Sequence, residues 1–576
     1  MLRRWLDRAV VAIRPNFPDT ILEAAARQEA RGETGAAAAS LERAVVLRRD
    51  GGAWVDAAAL GWRLARRELA QGRTERAERL TDLALRAAPD AVEALCLRCG
   101  LRMRRESLDE AEADARRATA ADPSSAAAAY SLGLVLRAQA RVDEALGAFS
   151  RATALAPGRF DLEPAELLMM TLSDAVSPQR AFERHRDFGR RLEGAVAPRF
   201  ASWRGTREPE RRLRVGFVSC DFNRHPVAWF LLPLLERVDR QRMETVCYST
   251  GDRVDEVTAQ VKAASGAWRE AAALDDDALA DAIHADAIDI LIDLTGYAGA
   301  FRLGVFARQS APVQASWAGY LHSTGLTRIG WRITDARADP PGASEALHTE
   351  RLARLPHALW CYRPPIEVPR PPPHGEGALA ASAFTFVSPH QLGKVSPRAR
   401  RLWAEILRGQ PRSRLLVLGA PEGRAREDLV RDFGAAGIDA ARLELRARTG
   451  LGAYYRALGE CDIALDTMPY GGGTTTFDAL WMGVPVLTLA GERPAGRSAS
   501  SILGALGLAD WVAASEAQYV RLGVSHAADR AGLARLRATL RERLRASALM
   551  DEAGFARDME SLLRTLWREE CARAIP

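Results

Sequence analysis

The sequence predicts an α-helical repeat array followed by two α/β lobes, a fold class of α plus α/β. Three observations carry this. A 34-residue period runs through the N-terminal third. After about residue 200 the helical pattern gives way to short β-branched runs separated by helix-length stretches. A second set of such runs comes after a proline-rich segment.

Pro89, Pro123 and Pro157 stand 34 residues apart, and so do Ala77, Ala111 and Ala145, and Ala84, Ala118 and Ala152. A fixed period of this length is the signature of the tetratricopeptide (TPR) repeat, one antiparallel helix pair per unit. The alanines fall where helices cross closely. The prolines fall where a missing N–H costs little. Gly133 and Phe149 fit the remaining small and large positions of the pattern. The units span 58–91, 92–125 and 126–159, and a degraded unit at 20–57, broken by Gly51-Gly52, reads as a cap. Such an array binds peptides or proteins and carries no chemistry of its own.

The first α/β set contains Arg214–Ser219, Thr245–Ser249, Ile288–Leu294 and Val313–Trp317. The Pro-rich stretch Arg363–Gly377 reads as a linker. The second set contains Phe384–Ser388, Arg414–Gly419, Asp462–Asp466 and Val484–Leu489, with long helices over 529–573. The expected division is a helical repeat region at 1–200 and Rossmann-like lobes at 201–370 and 371–576. In open parallel sheets ligands bind beyond the carboxyl ends of the strands, so the motifs of interest should come directly after strands.

The 576 residues exceed a single core, which rarely grows past roughly 250–300 residues. Lys+Arg is 80 and Asp+Glu 74, a net charge of +6 with no basic block, so no nucleic-acid partner is expected. Seven scattered cysteines do not form a disulfide framework, and Cys96-x-x-Cys99 reads as helix packing rather than a metal or redox pair. No apolar run reaches about 18 residues, so no membrane span is expected. The amphipathic start MLRRWLDRAVVAIRP lacks the apolar stretch of a signal peptide. Cytoplasmic residence is the expectation.

Only two lysines occur, Lys262 and Lys394, against an arginine-rich background. A retained lysine suggests a need for a compact point charge. Lys394 closes SPHQLGK just after the strand FTFVS, with Gln391 three residues before it. There an ammonium would neutralise charge on a departing diphosphate, whereas the bland alternative is a solvated loop lysine. The loop DTMPYGGGTTTFD comes after the strand DIALD. Gly472 and Gly473 let backbone approach a ligand closely. Thr474 and Thr475 add hydroxyls at a helix N-terminus whose N–H groups face the same spot. Asp478, one turn on, would accept from ribose hydroxyls, or would merely complete the helix end. His225, after the first strand in SCDFNRHP, would serve as base or orient a substrate, although a lone histidine is more often structural. His322 has a weaker claim. Leu274-Asp275-Asp276-Asp277 reads as a helix N-terminus rather than a metal site.

In order, the TPR array, GFVSCDFNRHP, DILIDLTGY with APVQASWAGY, RITDARADP, HQLGK and LDTMPYGGGTTTFDALWMGVPVLTLAG resemble the protein O-GlcNAc transferase and Spindly group, particularly its compact bacterial members. The resemblance covers about residues 50–573. It implies a GT-B glycosyltransferase that moves N-acetylglucosamine from UDP-GlcNAc to Ser/Thr hydroxyls of proteins bound through the TPR groove, with inversion and with no metal or other cofactor. Carried over by position, it puts Lys394 on the donor diphosphate, Gln391 at the nucleotide, Gly473, Thr474 and Thr475 on the phosphates, and Asp478 on the ribose. Tyr454 falls where a residue stacks near the base, Ala318 and Gly319 in the segment lining the sugar pocket, and His225 beside sugar and acceptor. The proton acceptor stays open between His225, a phosphate oxygen and a water relay. Where the family often has Tyr-Pro-Gly, this chain has Tyr320-Leu321-His322-Ser323-Thr324. That leaves GDP-fucose, as in Spindly-type O-fucosylation, or UDP-glucose as alternative donors, and an inactive scaffold as the reading from another class.

Overall fold

A computed structural model describes residues 18–48, 53–368 and 384–573. The N-terminal segment, Gly51-Gly52 and most of the Pro-rich stretch lie outside the described residues. The chain divides into two compact units, Met1–Leu162 and Glu163–Pro576.

The first unit is built of antiparallel helix pairs. Val55–Ala70 pairs with Thr74–Ala87, Val92–Arg104 with Leu108–Ala121, and Ala126–Ala138 with Val142–Leu155, while Pro18–Ala30 and Thr34–Leu47 form a further pair ahead of them. Ala77, Ala111, Ala145, Ala118 and Ala152 are fully buried, as a close helix crossing requires. The 34-residue spacing thus has a packing cause. Charge also links successive helices: Arg98 and Arg102 grip the buried Asp114 at 2.7 and 2.6 Å. A Cβ on Gly133 would stand 2.6 Å from the Phe149 ring. Gly133→Ala is expected to cost about 1–3 kcal/mol by overpacking, read as a lower unfolding midpoint of the repeat unit.

The second unit opens with helices Glu163–Leu172 and Pro178–Ala195. The expected division placed them with the repeats. They pack instead with the α/β unit, where Phe188 meets Tyr297 edge-on at 5.6 Å and Gly189 lies against the backbone of Gly325. Amphipathic helices look alike in sequence whichever core they cover.

The first lobe is a parallel sheet in the order β3-β2-β1-β4-β5-β6-β7. Its strands are β1 Leu213–Ser219, β2 Met243–Ser249, β3 Ala267–Glu270, β4 Ile290–Asp293, β5 Val313–Ser316, β6 Trp331–Asp335 and β7 Arg351–Leu355. The second lobe has the order β10-β9-β8-β11-β12-β13. Here the strands are β8 Thr385–Ser388, β9 Arg414–Leu418, β10 Leu443–Arg446, β11 Ile463–Leu465, β12 Val486–Leu489 and β13 Val512–Ala513. Strand order reverses between β1 and β4 in one lobe and between β8 and β11 in the other, and a crevice opens at each reversal.

The last helix, Glu552–Arg573, comes after the second lobe in sequence yet completes the core of the first. Phe555, Met559, Leu563 and Trp567 share one buried cluster with Phe217, Leu231, Ile292 and Trp317. Asp275 caps the helix Asp276–Ala285, accepting from the Ala278 N–H, so the acidic triplet is a helix start. Burial pushes the Cys99 thiol up to about 12, which suits an inert packing residue. Among the described residues no helix is long and apolar enough to cross a membrane.

Candidate active site

The loops after β8 and β11 meet at the switch point of the second lobe. Asp466, fully buried, stands just beyond β11 and organises the glycine loop. Its Oδ1 accepts the Gly472 N–H at 2.7 Å, and its Oδ2 accepts the Thr488 hydroxyl at 2.6 Å. A carboxylate in that position folds the glycine run back over the strand end. Gly473 then precedes the helix Thr474–Trp481 with no side-chain cap. The first N–H groups of that helix are left for a ligand. Thr476 turns its hydroxyl back to the Gly472 carbonyl at 3.0 Å, while Thr474 and Thr475 stay half-buried at the helix start.

Lys394 comes from the other loop. Its Nζ donates to the Gly471 carbonyl at 3.4 Å and lies 4.2 Å from the centre of the Tyr470 ring. Desolvation pushes its pKa down to about 8, and the Asp466 carboxylate opposes that shift. The ammonium is thus held against the glycine loop at low solvation, where charge acts most strongly. Gln391 is exposed and contributes its carbonyl, which accepts the Lys394 N–H at 2.9 Å. His390 Nε2 lies 3.1 Å from Asp466 Oδ1 without hydrogen-bond alignment, so among the described residues this buried nitrogen has no hydrogen-bond partner.

Asp478 sits inside a ring of tyrosines. Tyr362 and Tyr455 donate to Oδ1, each at 2.7 Å, and Tyr454 donates to Oδ2 at 3.2 Å. Burial raises the carboxyl to about 6, while the three hydroxyls pull the other way. One acceptor position on Oδ2 remains. Tyr454 is thereby anchored at its hydroxyl, and its ring meets Tyr455 edge-on at 5.3 Å. Tyr362 stacks on Phe477 at 4.8 Å, and Trp360 lies 3.4 Å from where a Cβ on Gly473 would be. Residues leaving the first lobe therefore form one wall of the second lobe's pocket.

Across the cleft, His225 precedes the helix Pro226–Arg237 that continues the chain after β1. The Val227 N–H points at its Nδ1 at 3.3 Å, and Asp221 Oδ2 is 3.8 Å away, beyond hydrogen-bond reach. Burial lowers its pKa, Asp221 resists, and the positive Arg253 and Arg448 add to the fall. Arg448 belongs to the second lobe, so charge from that lobe reaches the histidine. Ala318 takes the left-handed φ of 60°. A Cβ on Gly319 would fall 1.8 Å from the Leu294 carbonyl, so only glycine allows this approach. Tyr320 is next, buried, within the electrostatic reach of Tyr470.

The structure thus gathers Lys394, Gly472, Gly473, Thr474, Thr475, Asp478 and Tyr454 around the glycine loop and the helix that comes after β11. His225, Ala318 and Gly319 lie on the opposing lobe, and among the described residues no hydrogen bond joins them to that set. Sequence reasoning missed Asp466, Tyr470, Tyr362, Tyr455 and Trp360. Asp466 had a signal: it is an acidic residue at a strand's carboxyl end immediately before a glycine run. Tyr362 was masked by its place beside the Pro-rich stretch.

Two facing α/β lobes, with a lysine set over a glycine loop at a switch point, define a two-lobed glycosyltransferase. The chain belongs to glycosyl transferase family 41, whose pattern matches residues 196–362 and 375–559. It is 36% identical over 421 residues to a chain of Solanum lycopersicum named probable UDP-N-acetylglucosamine–peptide N-acetylglucosaminyltransferase SPINDLY, covering 71% of this chain and 44% of that one. A second relative is the Arabidopsis thaliana chain of the same activity name designated SEC, 30% identical over 376 residues, covering 64% of this chain and 38% of that one. The chain spans less than half the length of these curated relatives. Among solved structures, a mutant O-GlcNAc transferase of Thermobaculum terrenum is similar, with TM-score 0.84, 33% identity, and 90% of this chain and 98% of that chain covered.

Proposed function

We propose that this protein transfers N-acetylglucosamine from UDP-GlcNAc to serine or threonine hydroxyls of proteins, with inversion. The observation that carries the reading is the Lys394 ammonium against the Gly471 carbonyl, at the start of a glycine loop whose helix N-terminus is uncapped. This is a donor set for a diphosphate, made from one point charge and several backbone N–H groups. The relatives' names and family membership support the sugar donor.

In the reaction the acceptor oxygen forms a bond to the anomeric carbon as the bond from that carbon to the diphosphate oxygen breaks. The leaving UDP gathers negative charge where Lys394 and the N–H groups point. These residues supply the positive potential themselves, and we propose no metal or other cofactor. Asp478 and Tyr454 would hold ribose and base, and Ala318 and Gly319 would line the sugar. His225 accepts an amide N–H at Nδ1, so its neutral ring carries the proton on Nε2. That tautomer donates rather than accepts at the open nitrogen. We therefore assign His225 to orienting the sugar or acceptor, and the acceptor proton to a phosphate oxygen or a water relay. Acceptor proteins would be bound by the repeats, and the reaction would take place in the cytoplasm.

One observation favours a second donor, GDP-fucose: the Tyr320–Thr324 loop lacks the Pro-Gly often found in the family, and it leads off the segment assigned to the sugar. A panel of radiolabelled UDP-GlcNAc, UDP-glucose and GDP-fucose, with protein acceptors, decides between them. Label entering protein from UDP-GlcNAc alone is the expected result. Label from GDP-fucose alone overturns the donor assignment.

A further inference from the structure

His185 lies on the helix Pro178–Ala195, outside both sheets, and is fully buried. Its Nδ1 is 2.6 Å from the Ala181 carbonyl, and its Nε2 is 2.6 Å from the Tyr320 hydroxyl. A carbonyl only accepts, so Nδ1 carries the ring proton and Nε2 is left with its lone pair. Tyr320 therefore donates to His185. Burial moves the imidazole down to about 4, and the ring stays neutral near pH 7.

The same helix touches the sugar-side loop a second time. A Cβ on Gly189 would fall 2.0 Å from the Gly325 carbonyl, and one on Gly325 2.0 Å from the His185 carbonyl. Two backbones meet there without any intervening side chain. Tyr320 thus has its ring direction set at one end by His185 and its carbonyl held at the other by Arg332, at 2.9 Å. Tyr320 is also within the electrostatic reach of Tyr470, whose ring packs on the Lys394 ammonium.

We propose that His185 is a positioning residue for the donor-sugar pocket, fixing Tyr320 and with it the segment Ala318–Thr324. The inference rests on the proposed transferase function, because that reading places the segment beside the sugar. It predicts a larger effect on the sugar half of the donor than on the nucleotide half, since Lys394, the glycine loop and Asp478, the groups assigned to diphosphate and ribose, belong to the second lobe. A purely structural role would weaken both halves together.

The test is calorimetric titration of the full chain and of His185→Phe, Tyr320→Phe and the double variant, with UDP and with UDP-GlcNAc. The expected result is UDP affinity within about twofold of wild type and UDP-GlcNAc affinity lower by about fivefold or more in each single variant. The double variant should be no weaker than the singles, because either change alone removes the same hydrogen bond. Unchanged UDP-GlcNAc affinity in both singles overturns the proposal, and so does an equal loss for UDP and UDP-GlcNAc. If His185→Phe does not fold, Tyr320→Phe alone carries the test, as it removes one oxygen and leaves the ring. Wild-type protein that binds neither ligand overturns the proposed function, and this inference falls with it, a result distinct from binding that the variants leave untouched.

Discussion

Replacing Lys394 by alanine is expected to lower kcat by about 10²–10³-fold while leaving the fold intact, the usual loss when one preorganised partner of developing charge is removed. Lys394 is held by one weak bond to the Gly471 carbonyl and by the Tyr470 ring, so its removal leaves little of the core unsupported. The loss should therefore appear in turnover and in UDP affinity, not in the unfolding midpoint. The free-enzyme pKa near 8 adds a pH signature. The ammonium is the active form, so kcat/KM should fall as pH rises through about 8, because that parameter reports the free enzyme. Lys394→Arg should be less active at neutral pH and lose the descending limb, since a guanidinium stays charged. Steady-state UDP release across pH 6–10 checks both statements. A Lys394→Ala protein with wild-type turnover would remove the residue from the mechanism.

Asp466→Asn is the second large effect, and it strikes stability and chemistry together. The carboxylate accepts from the Gly472 N–H and the Thr488 hydroxyl in a fully buried position. An amide keeps one acceptor oxygen for the Gly472 N–H and turns its NH₂ to the Thr488 hydroxyl, which must reverse from donor to acceptor, so the charge-assisted bonds to the carboxylate are lost. Such a loss costs about 1–3 kcal/mol, which a lower denaturation midpoint would report. The carboxylate also raises the Lys394 pKa against desolvation. Without it the lysine loses its proton at lower pH, and the descending limb of kcat/KM must move to lower pH. A destabilised variant with an unmoved limb would mean that Asp466 shapes the loop without setting the lysine's charge.

The features with strong local causes were legible in the sequence. The repeat was visible because alanine at each helix crossing is forced by packing, and Ala77, Ala111 and Ala145 are indeed fully buried. The β-branched runs became β1, β2, β4, β5, β8, β9, β11 and β12, all buried parallel strands with near-continuous apolar sequence. The edge strand β3, with exposed Arg269 and Glu270, and the short β13 lack that signature. The interior β6 was hidden by its charges: Arg332 and Asp335 are buried there. The glycine loop and Lys394 stood out because their residue types are costly anywhere else. The tyrosine cage around Asp478 did not, because Tyr362 and Tyr454–Tyr455 are joined only in the fold, 116 and 23 to 24 positions from the carboxylate. The same holds for His185 and Tyr320, which are 135 residues apart. The partition of helices Glu163–Leu172 and Pro178–Ala195 was illegible for a different reason, since an apolar helix face does not say which core it covers.

If the protein transfers sugar from a uridine nucleotide, the switch-point loops of the second lobe hold uridine diphosphate. Calorimetric titration of the purified protein with UDP, and separately with GDP, tests it most directly. Saturable one-site binding of UDP with GDP silent, and loss of most of that affinity in Lys394→Ala, are the expected results. GDP binding with UDP silent would contradict the donor assignment. Silence from both nucleotides would contradict the site itself and leave the chain a repeat scaffold with an inactive α/β unit.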